Sequence, residues 1–379
     1  MAIIVGIVYD VDENWIAGSY YIENLILALK ITSGEKLHIK VYSKDRTQFE
    51  GLSKRTRYPY LSWVPLIDKN TIFDKIVNKI TVLLFKRHFI IRGLDNEVDV
   101  LFPASDTYFF DNIRNKLFWI PDFQEAHLPR FFTTEEITKR KDFQKKIVKK
   151  ECPVLVSSKN AMSDFQAQYP AAKNRLFVLP FAVTLPDLSG IDFEPLTKKF
   201  NIDREFFICS NQLWAHKNHK VVLKALIELR KQGSQPLVVF TGKPYDARNP
   251  RYYEELIQFV NENQLTSNTL FLGFIDRSEQ LVLMRNSLAV IQPSLFEGWS
   301  TVIEDAKALG KLVVASDIPV HKEQLGDHYK FYFDKDSSEE LARKLSLVTR
   351  GEKSTSSDAY REAILTFGDS FQKIIRQII

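Results

Sequence analysis

The segment Leu288–Ser316, "LAVIQPSLFEGWSTVIEDAKALGKLVVAS", decides the fold. "LAVIQPS" is an apolar, β-rich run, and "KLVVAS" is a second. Between them "TVIEDAKALG" has helical spacing and ends on Gly310, the residue type that closes helices. Strands apolar throughout, joined by a helix, belong to parallel sheets covered on both faces. Two carboxylates flank the bend: Glu297 in the loop at the strand end and Glu304 in the first turn of the helix.

The same alternation runs through the chain. "AIIVGIVY", "HIKVYS", "VDVLF", "KLFWI", "PVLVSS" and "RLFVLP" read as strands of a first half. "EFFICS", "PLVVF", "NTLFLG", "LAVIQPS", "KLVVAS" and "KFYF" read as strands of a second. Amphipathic segments such as Tyr21–Lys30, Lys220–Lys231 and Tyr252–Asn263 lie between them. At 379 residues the chain is too long for one ordinary core. The expectation is an α/β protein of two Rossmann-like, doubly wound domains facing across a cleft. The first covers residues 1–190 and the second 191–358, with a helix over 359–379 packing back on the first domain. "PFAVTLPDLSGIDFEPLTKKFNID" is the join. Ligands of open α/β sheets bind beyond the carboxyl ends of the strands, so the chemistry belongs in those loops.

Composition narrows the classes. The formal charge of +5 does not call for nucleic acid, and no aromatic-basic alternation suggests RNA. Cys152 and Cys209 form no disulfide framework and no zinc set, and Cys209 sits in the apolar run "FFICS". The start reads as a first strand rather than a leader, and no apolar run spans a bilayer. The expected location is cytoplasmic, at most at the inner face of the plasma membrane. Two basic-apolar stretches, "FDKIVNKITVLLFKRHFIIR" and "TKRKDFQKKIVKK", are solvated faces by default, and in the acceptor-side domain they also suit an anionic membrane.

The bend admits two readings. Thr301 followed by Glu304 fits a capping box. That leaves Glu297 and Gly298 without a purpose. Gly298 lets backbone approach a ligand, and the amides of Ser300, Thr301 and Val302 form a positive helix end suited to phosphate. A carboxylate beside phosphate suits hydroxyl groups, as on a sugar or a ribose.

"PSLFEGWSTVIEDAKALGKLVVASDIP" resembles the signature of family 4 glycosyltransferases of GT-B fold, retaining enzymes that use nucleotide-sugar donors. The resemblance covers nearly the whole chain and is sharpest from Ser294 to Gln324. It implies that Glu297 lies near the transferred sugar and that Glu304 binds the ribose. Here the glutamates are seven positions apart, where the family spacing is eight, which leaves open which of Trp299, Ser300 and Thr301 offers its amide to phosphate. In "SNQLWAHKNHK" Lys217 matches the family lysine that holds the donor diphosphate. The family arginine is absent: Asn211 and Gln212 stand in its place, so help from another cation is expected. Gly242 of "TGKP" and Phe274 and Ile275 of "FLGFID" are implied base contacts. Gly18 and Ser19 resemble the family's glycine loop at the mouth of a helix, against a plain helix start. In "WIPDFQEAHLPRFF" Asp122 matches the family His-Asp pair, while the histidine is missing and His127 is a candidate replacement or a packed residue. Ser157 and Ser158 read mainly as a helix cap, His216 and His219 as a pair without a third metal ligand, and Asp10-x-Asp12 as a loop.

Together these imply a glycosyltransferase that moves a hexosyl group from a nucleotide-diphosphate sugar to a saccharide or lipid-linked saccharide with retention. Surface polysaccharide or lipopolysaccharide assembly in bacteria is the implied setting. Glu297, Lys217 and Asp122 are the catalytic candidates, with no metal and no cofactor expected. A nucleotide-sugar epimerase and a non-catalytic nucleotide-sugar-binding subunit are the alternatives.

Overall fold

The computed structural model describes residues 2–9, 16–34, 37–67, 70–91, 95, 97–105, 108–349, 351 and 357–379. Asp10-x-Asp12 and Arg92 lie outside the described residues.

The first domain opens with β1 (Ile3–Val8), α1 (Ile16–Thr32), β2 (Leu37–Ser43), α2 (Arg46–Thr56), β3 (Leu61–Pro65), α3 (Ile72–Phe85) and β4 (Val100–Phe102). It continues through β5 (Phe118–Ile120), α4 (Gln124–His127), α5 (Thr134–Lys150), β6 (Val154–Val156), α6 (Lys159–Gln168) and β7 (Leu176–Val178). Its strands run in the order β3-β2-β1-β4 and β5-β6-β7, all parallel. A bridge between Leu101 and Lys116 joins the two sets, and Leu117 donates its amide to Leu101 O at 2.9 Å.

The second domain contains α7 (Phe193–Phe200), β8 (Phe206–Ser210), α8 (His219–Lys231), β9 (Leu237–Thr241), α9 (Tyr252–Glu262), β10 (Thr269–Phe271) and α10 (Arg277–Asn286). It ends with β11 (Val290–Gln292), α11 (Thr301–Ala308), β12 (Val313–Ser316), α12 (Pro319–Leu325), β13 (Tyr332–Phe333) and α13 (Ser338–Ser346). The strand order is β10-β9-β8-β11-β12-β13, again parallel. The order reverses between β8 and β11, so the loops after these two strands diverge and leave a crevice between them.

α14 (Ser357–Ile378) leaves the second domain and packs along α1. Tyr360, Phe367, Phe371 and Ile375 join the first domain's core with Leu25, Leu29 and Phe102. Gly368 marks the closest crossing, since a Cβ there would stand 2.9 Å from Ala28 O. The second domain has apolar clusters on both sheet faces, as parallel strands require.

Candidate active site at the interdomain cleft

A cavity of about 600 Å³ lies between the carboxyl ends of the two sheets. That is the size of a small-molecule site. The second domain lines it from the loops after β8, β9, β10 and β11, and the first domain from α1 and the ends of β5 and β6.

Lys217 and Glu297 come from the two loops flanking the β8/β11 reversal and meet in the cavity wall, Nζ to Oε1 at 2.6 Å. The same Oε1 accepts from Ser294 Oγ at 2.6 Å and Gln292 Nε2 at 2.8 Å. The carboxylate is therefore held at the mouth of the strand by three donors. A turn of 3-10 helix over Ala215–Lys217 and the left-handed Asn218 aim the lysine, and Asn218 anchors this bend by donating to Pro293 O and Lys335 O.

The helix after the bend starts one residue earlier than a Thr301 cap requires. Ser300 is the cap, its Oγ accepting from Ile303 N, and no capping box forms. The amide of Ser300 donates to Gln324 Oε1 at 3.0 Å, so it is not offered to a phosphate. Thr301 and Val302 line the cavity.

This phase turns Glu304 inward. It is 1% exposed, and its oxygens take hydrogen bonds from Gln324, Tyr360 and Lys307. Burial pushes its carboxyl up from the usual range, against the pull of Lys307. Tyr360 also accepts from Val183 N, so Glu304 ties α11 to α14 and to the interdomain join. The cavity position assigned to Glu304 is filled by Asp305, eight residues after Glu297. Asp305 pairs with Arg277 at the start of α10, and the guanidinium lies 5.2 Å from the Tyr20 ring of the first domain. Arg277, Arg248 and Arg140 are cavity cations that the sequence analysis did not single out. The eight-residue spacing was the available signal for Asp305; nothing local marks the arginines.

Other assigned residues divide. Asn211, Gln212, Gly242, Phe274 and Ile275 line the cavity. Asn211 binds Gln292 Oε1 at 2.9 Å. Gly242 has φ +140°, and a Cβ would stand 2.1 Å from Asn211 O, so only glycine lets these two strand ends touch. Gly298 and Trp299 also line the cavity, and Gly298 has a second constraint: a Cβ there would lie 2.6 Å from Pro121 O of the first domain. Trp299 crosses the same seam, donating Nε1 to Phe181 O at 3.0 Å. Asp122 lines the cavity and accepts from Arg140 at 2.6 Å. His127 stays outside: it bonds Asp164 at 2.9 Å and stacks on Phe296 at 4.9 Å. Gly18 and Ser19 lie within the first turn of α1 rather than before it, and it is Tyr20 and Tyr21 that reach the cavity. Ser158 caps α6, and Ser157 takes the Trp119 indole at 3.3 Å.

His216 is packed by Trp214 and Phe131, and His219 is sealed near Phe240 and Tyr252. Among the described residues no cluster of three metal-ligating side chains occurs. Burial lowers the pKa of His219 from 6.5 to about 3 and that of His321 from 6.5 to about 4. The unfolded chain takes these protons near 6.5 and the folded chain does not. Their contribution to stability is complete above pH 6.5 and is lost as the pH falls toward about 4, by about 1.4 kcal/mol per unit for each histidine. Denaturant unfolding across this window is expected to show the slope, and His321→Gln to flatten it; an unchanged slope in the variant contradicts the assignment.

With the geometry in view, the chain can be set beside known proteins. Residues 192–364 match the family model of glycosyl transferases group 1. EpsF of Bacillus subtilis (strain 168), named as a glycosyltransferase, is 27% identical over 158 residues, covering 41% of this chain and 39% of EpsF. A glycosyltransferase from Rickettsia africae ESF-5 superposes with a TM-score of 0.68 at 14% identity, over 100% of this chain and 98% of that one. HepE from Anabaena, solved with UDP and glucose, superposes with a TM-score of 0.69 at 16% identity, over 99% of this chain and 100% of HepE. The likeness to these structures is one of fold, the two-domain GT-B arrangement, and the chain spans about two fifths of EpsF's length.

Proposed function

We propose that the protein moves a hexosyl group from a nucleotide-diphosphate sugar to a hydroxyl of a saccharide or lipid-linked saccharide, with retention, as in family 4, and without a metal. The observation that carries this reading is the meeting of Lys217 and Glu297 beside the Thr301 and Val302 end of α11, at the strand-order reversal. A diphosphate placed there faces an ammonium and a positive helix end. Charge grows on the leaving diphosphate as the sugar–oxygen bond breaks, and Lys217 stabilises it. Glu297 positions the sugar through its hydroxyls. The acceptor oxygen bonds to the anomeric carbon from the same face, and its proton passes to the leaving phosphate oxygen. Asp305, in place of Glu304, takes the ribose, while Arg277 supplies the second cation that the missing family arginine calls for. The acceptor enters along Trp119 and Tyr20, whose aromatic surfaces suit pyranose rings, beside Asp122. The crystal complex of HepE with UDP and glucose lends support for the ligand class. Assembly of a bacterial surface polysaccharide or lipopolysaccharide at the inner face of the plasma membrane is the proposed setting.

Thermal shift against a panel of nucleoside diphosphates tests the donor, since a ligand of the native state raises the melting point. Incubation with the stabilising nucleotide's sugar tests the reaction. Transfer that needs an acceptor and keeps the anomeric configuration is expected. A changed sugar without acceptor identifies an epimerase, and binding without transfer identifies a non-catalytic subunit.

A further inference from the structure

α3 is built inside out. Its buried side chains are Asp74, Asn78 and Thr81, and its exposed ones include Ile72, Phe73, Ile76, Ile80, Leu83 and Leu84. Ile72 is 81% and Leu83 79% exposed. The polar face is fully used inward. Asp74 completes a capping box with Thr71. Asn78 accepts from Phe89 N and Ile90 N at 3.0 and 2.9 Å and donates to Ile90 O at 2.6 Å, which pins the segment after the helix beneath it. The helix is therefore fixed to the domain by its polar side, and its apolar side is left to solvent. At about 100° per residue those six side chains fall within an arc of about 120°. Lys75, Lys79 and Lys86 fall along one edge of that arc, and all three are exposed. Arg87 follows, over the Phe89 ring at 4.9 Å, and Phe89 stacks on Phe85 at 5.2 Å. The helix contains a single acid, Asp74, and it is buried.

We propose that α3 is the surface by which the protein lies on an anionic lipid bilayer, its apolar arc in the acyl boundary and its lysine edge among the headgroups. An apolar stripe bordered by cations, with no exposed acid, is the pattern that binds in an interface plane. A second copy of the chain fits less well. An antiparallel two-fold contact through this helix would set the same lysine edge against itself, and like charges oppose such pairing. No helix among the described residues is long and apolar enough to cross a membrane, so this contact is peripheral. The proposal deepens the reading of a lipid-linked acceptor at the membrane face, but its test does not depend on transfer.

The test is co-sedimentation of the full chain with vesicles of phosphatidylcholine, with and without phosphatidylglycerol. Binding to the anionic vesicles is expected to exceed binding to neutral ones at least ~10-fold and to fall as salt is raised. The combined variant I76E/I80E/L83E is expected to lose at least ~10-fold of that binding while its circular dichroism and melting temperature stay unchanged, because all three sites are exposed. K75Q/K79Q/K86Q is expected to bind both vesicle types alike. Vesicle binding retained by I76E/I80E/L83E, or absent from the wild type, overturns the proposal. A dimer that this variant converts to monomer, without vesicle binding, assigns the face to a second copy instead. Vesicle binding without sugar transfer would leave the surface standing and remove the proposed reaction, and transfer in solution without vesicle binding would do the reverse.

Discussion

Lys217→Ala is expected to lower turnover at least ~100-fold with little change in melting temperature. The lysine is partly exposed in the cleft wall and supports no core, so its loss leaves the fold standing. Its partner Glu297 keeps the Ser294 and Gln292 donors, so the carboxylate stays in place. What disappears is the ammonium that opposes charge developing on the leaving diphosphate. The loss should fall mainly on kcat, since the interaction strengthens as that charge grows. Glu297→Ala is expected to lose a comparable factor for another reason: the sugar is no longer positioned, and the freed lysine binds the diphosphate product more tightly. Steady-state kinetics of both variants, with nucleotide affinity measured beside them, distinguishes the roles. Near-normal turnover in both removes the proposed chemistry.

Arg277→Met is expected to be the most destabilising single change in the cleft, by about 3 kcal/mol near neutral pH. Asp305 is 2% exposed and pairs with this guanidinium. Without it a carboxylate is left buried and uncompensated. Burial already pushes the Asp305 carboxyl above its ordinary range, with Arg277 pulling the other way. Removing the arginine leaves burial unopposed, so the acid takes a proton more readily. The folded variant then binds a proton that the unfolded chain releases, and its deficit should shrink as the pH falls through the raised pKa. Urea unfolding of the variant at neutral and mildly acidic pH measures this. A deficit that is absent, or that grows on acidification, rules the pairing out as the cause. Arg277→Met with Asp305→Asn should recover part of the loss, because the buried charge goes with its partner.

The fold was legible because parallel strands covered on both faces leave unbroken apolar runs, and "FFICS", "PLVVF" and "KLVVAS" are such runs. β3 escaped because "LSWVP" mixes polar residues and ends in proline, as an edge strand can. Lys217 and Glu297 were legible because strand-end loops carry the chemistry of these sheets. Asp305 was not, for a local reason. With the cap at Ser300, neighbouring acids 304 and 305 point about 100° apart, and the helix phase sends the glutamate to the core and the aspartate to the cleft. Sequence alone shows two adjacent acids and no phase, and the family spacing of eight was the one pointer to Asp305. The seam contacts of Gly298, Trp299 and Arg248 depend on which surfaces of the two domains meet, and that information is spread over residues more than a hundred positions apart. The basic-apolar character of α3 was legible as a surface, but its inside-out packing was not, because Asn78 holds the amides of Phe89 and Ile90 beneath the helix.

The ion pair at the mouth of β11 has a bearing on selectivity. A tethered carboxylate is always present at high effective concentration beside Lys217, so the cleft carries an anion of its own. A free inorganic phosphate must compete with that resident for the lysine and is too small to span the cleft. The proposed donor, with a base, ribose and sugar to grip distant walls, would displace the carboxylate because those contacts offset the eviction. The cleft is in this way insulated from the small anions of its surroundings without any gate.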